Sequence, residues 1–193
     1  RILALTYTKD AAAELAERIE DALKEQLGET VEEINASTFH ALCIDVLRDE
    51  SAATGLNPFF GVAADADRVA IMLARINEMS FDKLALRGRP AQVIGNLNGY
   101  IDRLKEECIG PEALRGYAEA ALADAIDPDA REKAEILIEQ SEYYALHDQF
   151  LREAAALDYG GMQFEMYKLL STNEAVRARI ARRFDHVLVD EFQ

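Results

Sequence analysis

Residues 2–19, ILALTYTKDAAAELAERI, decide the fold class. Ile2 to Leu5 is an unbroken apolar run that ends in Thr6-Tyr7-Thr8. That is the pattern of a parallel strand buried on both faces and opening into a polar turn, since a half-solvated strand would alternate apolar with polar. A helix follows at once. From Ala11 onward Ala12, Leu15, Ile19, Leu23 and Leu27 recur at three-to-four-residue spacing, and Gly28 stands where such a helix stops.

Working outward, Val31 to Ala36 reads as a second short strand, after which Ser37 or Thr38 can cap a helix bearing Phe39, Leu42, Val46 and Leu47 on one face. Gly55, Asn57 and Pro58 break the pattern between residues 51 and 60. Beyond them the chain turns helical. Asp65 is placed to cap a segment with Val69, Leu73 and Ile76, and Pro90 opens another with Val93, Leu97, Tyr100, Ile101 and Leu104. Pro111 begins a third, a long helix is expected over about 130–157, and shorter ones over 162–170 and from Thr172 or Asn173. The last of these ends in Arg177, Arg179, Arg182 and Arg183, cations suited to a helix C-terminus or to a phosphate backbone. FDHVLVDEFQ, residues 184–193, then reads as a strand carrying two carboxylates at its C-terminal end.

The expected fold is therefore α/β but predominantly helical. Residues 1–50 and 166–193 supply an incomplete parallel sheet, and 51–165 form an all-α insertion within it. A chain that stops two residues after a core strand is expected to be a fragment. Its 193 residues, 50% hydrophobic and 30% charged, suit one ordinary domain or two small ones and exclude disordered or collagen-like structure. No apolar run approaches the roughly 20 residues of a membrane helix, and no cleavable leader is evident, so a cytoplasmic protein without a membrane partner is expected. Cys43 and Cys108 stand 65 positions apart and form no zinc-finger or disulfide framework, which points to two buried thiols. A net charge of -15 is the opposite of a compact DNA-binding module, so any contact with nucleic acid must be local.

An apolar strand ending Asp-Glu is one way nucleotide hydrolases set a metal-binding and a water-polarising carboxylate beside a phosphate, although a solvated acidic turn gives the same letters. The context adds to it. ILALTYTKDAAAELAERI, STFHALCIDVLR, LDYGGMQFEMYKLL and FDHVLVDEFQ together resemble, in order, segments of the UvrD/Rep-type superfamily 1 helicases. The resemblance implies a RecA-like P-loop NTPase sheet with a helical subdomain inserted in it, and an ATP- and Mg2+-dependent helicase moving 3′ to 5′ on single-stranded DNA. It also implies roles: Asp190 and Glu191 as metal ligands, Glu191 and Gln193 as catalytic, and Thr6, Tyr7, Thr8, Thr38, Phe39 and His40 on the single-stranded DNA path. The alternative for the turns is a capping threonine with its aromatic neighbour tucked into the core.

Two departures stand out. Lys9-Asp10 replaces the Asn-Lys common after Thr-aromatic-Thr, and Asp158-Tyr159 is followed by Gly160-Gly161 where the family has two further aspartates, which leaves Asp158 without an implied role. No GxxxxGK[ST] phosphate loop occurs, so these residues alone are expected not to hydrolyse ATP. The rival readings are a non-catalytic acidic helical interaction module and a part of a helicase-nuclease of the same superfamily.

Overall fold

The computed structural model describes residues 1–27, 35–86 and 88–191, the side chains of residues 26 and 27 excepted. In order these form β1 (Ile2–Thr6), α1 (Lys9–Leu27), β2 (Asn35–Thr38), α2 (Phe39–Asp49), α3 (Ser51–Thr54), β3 (Gly61–Val62), α4 (Asp65–Ala74), α5 (Pro90–Glu106), α6 (Pro111–Ala123), α7 (Pro128–Glu153), β4 (Ala156–Leu157), α8 (Tyr159–Thr172), α9 (Glu174–Ala181) and β5 (His186–Val189). The architecture is predominantly helical with a small parallel sheet, and contacts divide the chain into a unit of residues 1–55 and 165–193 and a unit of 56–164.

In the first unit the sheet order is β2-β1-β5, all parallel. Leu3, Ala4 and Leu5 of the central strand are buried, as an uninterrupted apolar run requires, and Ala12, Cys43, Val46, Leu47, Leu169 and Val176 are buried in the same unit. Thr38 caps α2 by accepting a hydrogen bond from the Ala41 amide at 3.2 Å, and Asn173 caps α9 through Val176 at 3.1 Å. The expected stop at Gly28 and the start of the second strand at Val31 lie outside the described residues. What is described of that strand is Asn35–Thr38.

The second unit is built around a core in which Met72, Ile94, Ile101, Tyr143, Tyr144 and Phe150 are essentially inaccessible. Here the structure corrects three expectations. The long helix ends at Glu153 rather than Leu157, because Ala155 turns left-handed (φ 49°) and releases Ala156–Leu157 to pair in parallel with Gly61–Val62. Asp65 is the first residue of α4 rather than its cap, and Asp67 instead accepts the Ala64 amide at 3.0 Å. Cys108 is exposed, not buried, at a left-handed position (φ 56°) just past the end of α5, whereas Cys43 is buried and that burial pushes its thiol up to about 11. No helix among the described residues is long and apolar enough to cross a membrane.

Truncating a fully enclosed core side chain removes its transfer free energy and leaves a cavity. Ile94→Ala should cost about 2–5 kcal/mol, whereas Ile126→Ala, on a side chain 98% exposed, should change stability by less than about 0.5 kcal/mol. Urea denaturation of the two variants checks both.

Candidate functional site

Register places the two turns and the acidic pair on one edge of the sheet. Thr6 of β1 is the partner of Thr38 of β2, Leu5 is the partner of Val189 of β5, and the Asp190 amide donates to the Leu5 carbonyl at 2.9 Å. All three strands run the same way, so Thr6-Tyr7-Thr8, Thr38-Phe39-His40 and Asp190-Glu191 all leave the sheet at its C-terminal edge. That is where open parallel sheets bind ligands.

The predicted residues are not equivalent there. Thr6 is buried and its hydroxyl donates to the Thr8 carbonyl at 2.9 Å, closing the turn. Thr8 is exposed and its hydroxyl oxygen accepts from the Ala11 amide at 3.2 Å, which makes it the cap of α1. Tyr7, between them, is 68% exposed, while Phe39 and His40 are half-buried in the first turn of α2. The Tyr7 and Phe39 ring centroids lie 5.6 Å apart. Lys9, Ala12, Ala13, Ala16, Ala36, Ser37, Thr38 and Ala41 line an open depression of about 340 Å³ beside these turns.

Asp190 and Glu191 are both exposed, and Asp190 accepts the Glu191 amide at 3.0 Å while having no cationic partner among the described residues. Glu191 itself adopts φ 58°, a left-handed conformation uncommon for a side chain of its kind. Gln193 lies outside the described residues. A carboxylate without a counter-ion, projecting from a sheet edge, has the donor chemistry a hard divalent cation takes. The arginines of α9 and the residues just after it are largely engaged within the unit: Arg179 pairs with Glu50, Arg183 lies 3.9 Å from Asp49, and Arg177 donates to the Leu170 carbonyl at 2.9 Å.

A separate polar cluster lies inside the second unit. Arg68 forks onto Asp102 through two contacts of 2.9 Å, donates to the Asn98 carbonyl at 3.2 Å, and donates through Nε to His147 Nε2 at 3.2 Å. Lys105 bridges Asp148 and Asp158 at 2.9 and 2.8 Å, and Asp158 also accepts the Gly161 amide at the start of α8. His147, Asp148 and Asp158 lie close enough together to suggest a metal site. Lys105 already occupies the two carboxylates, however, and His147 Nε2 is taken by Arg68, so the cations of this cluster are the protein's own. Reading the sequence for function missed it. The available signal was Asn98 and Lys105 falling on the apolar face of α5 with Ile94, Ile101 and Leu104, polar residues where a helix should be dry.

The class these observations define is an α/β unit presenting two Thr-aromatic turns and an Asp-Glu pair on one parallel-sheet edge, together with a helical unit. The chain belongs to the UvrD/REP helicase N-terminal domain family, whose pattern matches residues 1–193. It is 33% identical over 197 residues to the ATP-dependent DNA helicase UvrD1 of Mycobacterium tuberculosis, and 31% over 196 residues to the ATP-dependent DNA helicase Rep of Escherichia coli. It is 26% identical over 192 residues to the ATP-dependent DNA helicase PcrA of Bacillus subtilis. Each match takes in 100% of this chain but only 22%, 25% and 23% of the respective relative, so the chain spans about a quarter of the length of the curated relatives it matches.

The buried cluster makes stability fall with acid in two windows. His147 Nε2 accepts from Arg68, so the ring is neutral with its proton on Nδ1 toward Asp148, 3.1 Å away. Burial above all holds its pKa below the ordinary 6.5, so the unfolded chain takes up the proton first and stability declines as pH drops below that value. Burial pushes Asp158 up, but Lys105 foremost outweighs it. For Asp148, the His147 hydrogen bond and Lys105 do the same, so both carboxyls sit below 3.8. Their contribution is present above 3.8 and lost only as pH falls through the lowered values. Melting temperature should therefore start to fall between pH 7 and about pH 5, and His147→Gln should flatten that first decline; identical profiles for the two proteins would contradict the assignment.

Proposed function

We propose that the whole protein carrying this chain is an ATP-dependent helicase that moves 3′ to 5′ on single-stranded DNA in the cytoplasm. On this reading residues 1–50 and 166–193 are part of its first RecA-like ATPase domain and 51–165 a helical subdomain inserted in that domain. The observation that carries the proposal is the shared sheet edge, where Thr6, Thr38 and Asp190 fall in one row and Tyr7, Phe39 and Glu191 in the next. Adjacent strands are about 4.8 Å apart, so a nucleotide-sensing carboxylate pair and a strand-gripping turn lie on neighbouring strands. The division into units of 1–55 with 165–193 and of 56–164 supports the domain reading.

Asp190 is the ligand for Mg2+, with Glu191 beside it, and its exposed carboxylate, which has no cationic partner among the described residues, fits that role. The ion bound with ATP supplies neutralisation of charge on the phosphate oxygens. Glu191 orients the attacking water and accepts its proton, and Gln193 completes the catalytic set. On the other side, Tyr7 offers a solvent-facing ring on which a base can stack. Thr8, Thr38 and His40 lie along the same path, with Lys9, Ser37 and Thr38 among the residues lining a depression that can take backbone phosphate. Because the chain carries a net charge of -15, this grip is local and salt-sensitive.

In the whole protein Glu191→Gln should abolish turnover while leaving nucleotide binding intact, since the amide keeps the side chain's size but accepts no proton. Asp190→Asn should instead weaken Mg-nucleotide binding and be partly relieved by raised magnesium. Nucleotide affinity and single-turnover hydrolysis separate the two, and near-normal hydrolysis by Glu191→Gln would return the pair to a solvated acidic turn. Tyr7→Ala should weaken single-stranded DNA binding by about 1–3 kcal/mol, measured by anisotropy; a loss of thermal stability with unchanged affinity would make Tyr7 a packing residue.

A further inference from the structure

We infer that Phe39 is a positioning residue for the Tyr7 ring and not a second base contact. The inference rests on the proposal that Tyr7 stacks on single-stranded DNA. The in-register pairing of Thr6 with Thr38 sends the next residues, Tyr7 and Phe39, out of neighbouring strands side by side. Their rings meet with centroids 5.6 Å apart and planes tilted by 54°, within the 4.5–7 Å range that aromatic pairs prefer.

The surroundings of the two rings differ. Phe39 is the first residue of α2, a helix held by the Thr38 cap and by buried Cys43, Val46 and Leu47. Its ring is half-buried on a fixed backbone. Tyr7 projects from a three-residue turn closed by the Thr6 hydroxyl and is 68% exposed. Two planes tilted by 54° cannot both lie flat against one base, so a base stacked on Tyr7 does not stack on Phe39 at the same time. Phe39 restrains the rotation of Tyr7 before the base arrives, and this lowers the ordering cost that an exposed side chain otherwise meets on binding.

The test is a double-mutant cycle in the whole protein, reading affinity for a fluorescently labelled oligothymidylate by anisotropy. Tyr7→Ala should weaken binding by about 5- to 150-fold. Phe39→Leu, which keeps an apolar side chain of similar bulk at the start of α2, should weaken it by about 2- to 10-fold with Tyr7 present and should have no further effect in the Tyr7→Ala background. Phe39→Tyr retains the ring and should bind as the unaltered protein does. Equal losses from Phe39→Leu in both backgrounds would show Phe39 touching DNA itself and overturn the inference. So would no loss in either background, or a Phe39→Tyr protein as weak as Phe39→Leu. Should Tyr7→Ala bind normally, the stacking assignment for Tyr7 fails and the inference is overturned with it. A Phe39 effect absent only where Tyr7 is absent, with unchanged melting temperatures, sustains both.

Discussion

The parallel, in-register pairing of β1 with its two neighbours is the constraint on which the candidate site depends. Thr6 opposite Thr38, and Asp190 bonded back to Leu5, bring to one sheet edge three segments that lie about thirty and one hundred and eighty residues apart in the chain. A slip of one residue on either side would turn the neighbouring side chains to the opposite face. Tyr7 would then lose Phe39, and Asp190 would leave the row of Thr6. Buried Leu3 and Leu5 on one face and Ala4 on the other oppose such a slip, because exchanging the faces would force leucines into the space where Ala4 packs.

Within that frame the threonines and the aromatics divide the work. Thr6, Thr8 and Thr38 commit side-chain oxygens to closing a turn or capping a helix, each bond contributing about 1 kcal/mol and, more importantly, fixing where the intervening residue points. Tyr7 is thereby held outward rather than packed inward. On the proposed reading, contact between DNA and a chain this acidic relies on such fixed stacking groups and a few local donors, since the chain's long-range field repels a polyanion.

The helical unit is organised by a different interaction. Arg68 and Lys105, both almost wholly buried, neutralise Asp102, Asp148 and Asp158, and the Tyr143 hydroxyl donates to Asn98 at 2.8 Å alongside them. Ion pairs of this kind add little net stability over apolar packing, yet losing one partner typically costs about 3–5 kcal/mol. The cluster ties α4, α5, α7 and the start of α8 to one another through defined polar contacts. An apolar stripe alone tolerates a helix rotated or shifted along its axis. A forked arginine does not.

The sequence by itself determined the kind and order of most elements, because these follow from local physics. Apolar runs, three-to-four periodicity, prolines opening helices and a threonine before α2 act over a few residues and are legible one segment at a time. It also carried the Thr-aromatic turns and the Asp-Glu pair, through short motifs resembling one family. Where a locally helical pattern was overruled, as at Ala156–Leu157, the cause was pairing with residues nearly a hundred positions earlier. Only the tertiary structure decided which threonine oxygens are already committed, that Tyr7 leans on Phe39, that the arginines of α9 mostly pair inside their own unit, and that Asp158 is a buried hub. Each of these depends on which partner arrives from a distant part of the chain. Register and burial are properties of the assembled fold, and no window of neighbouring residues contains them.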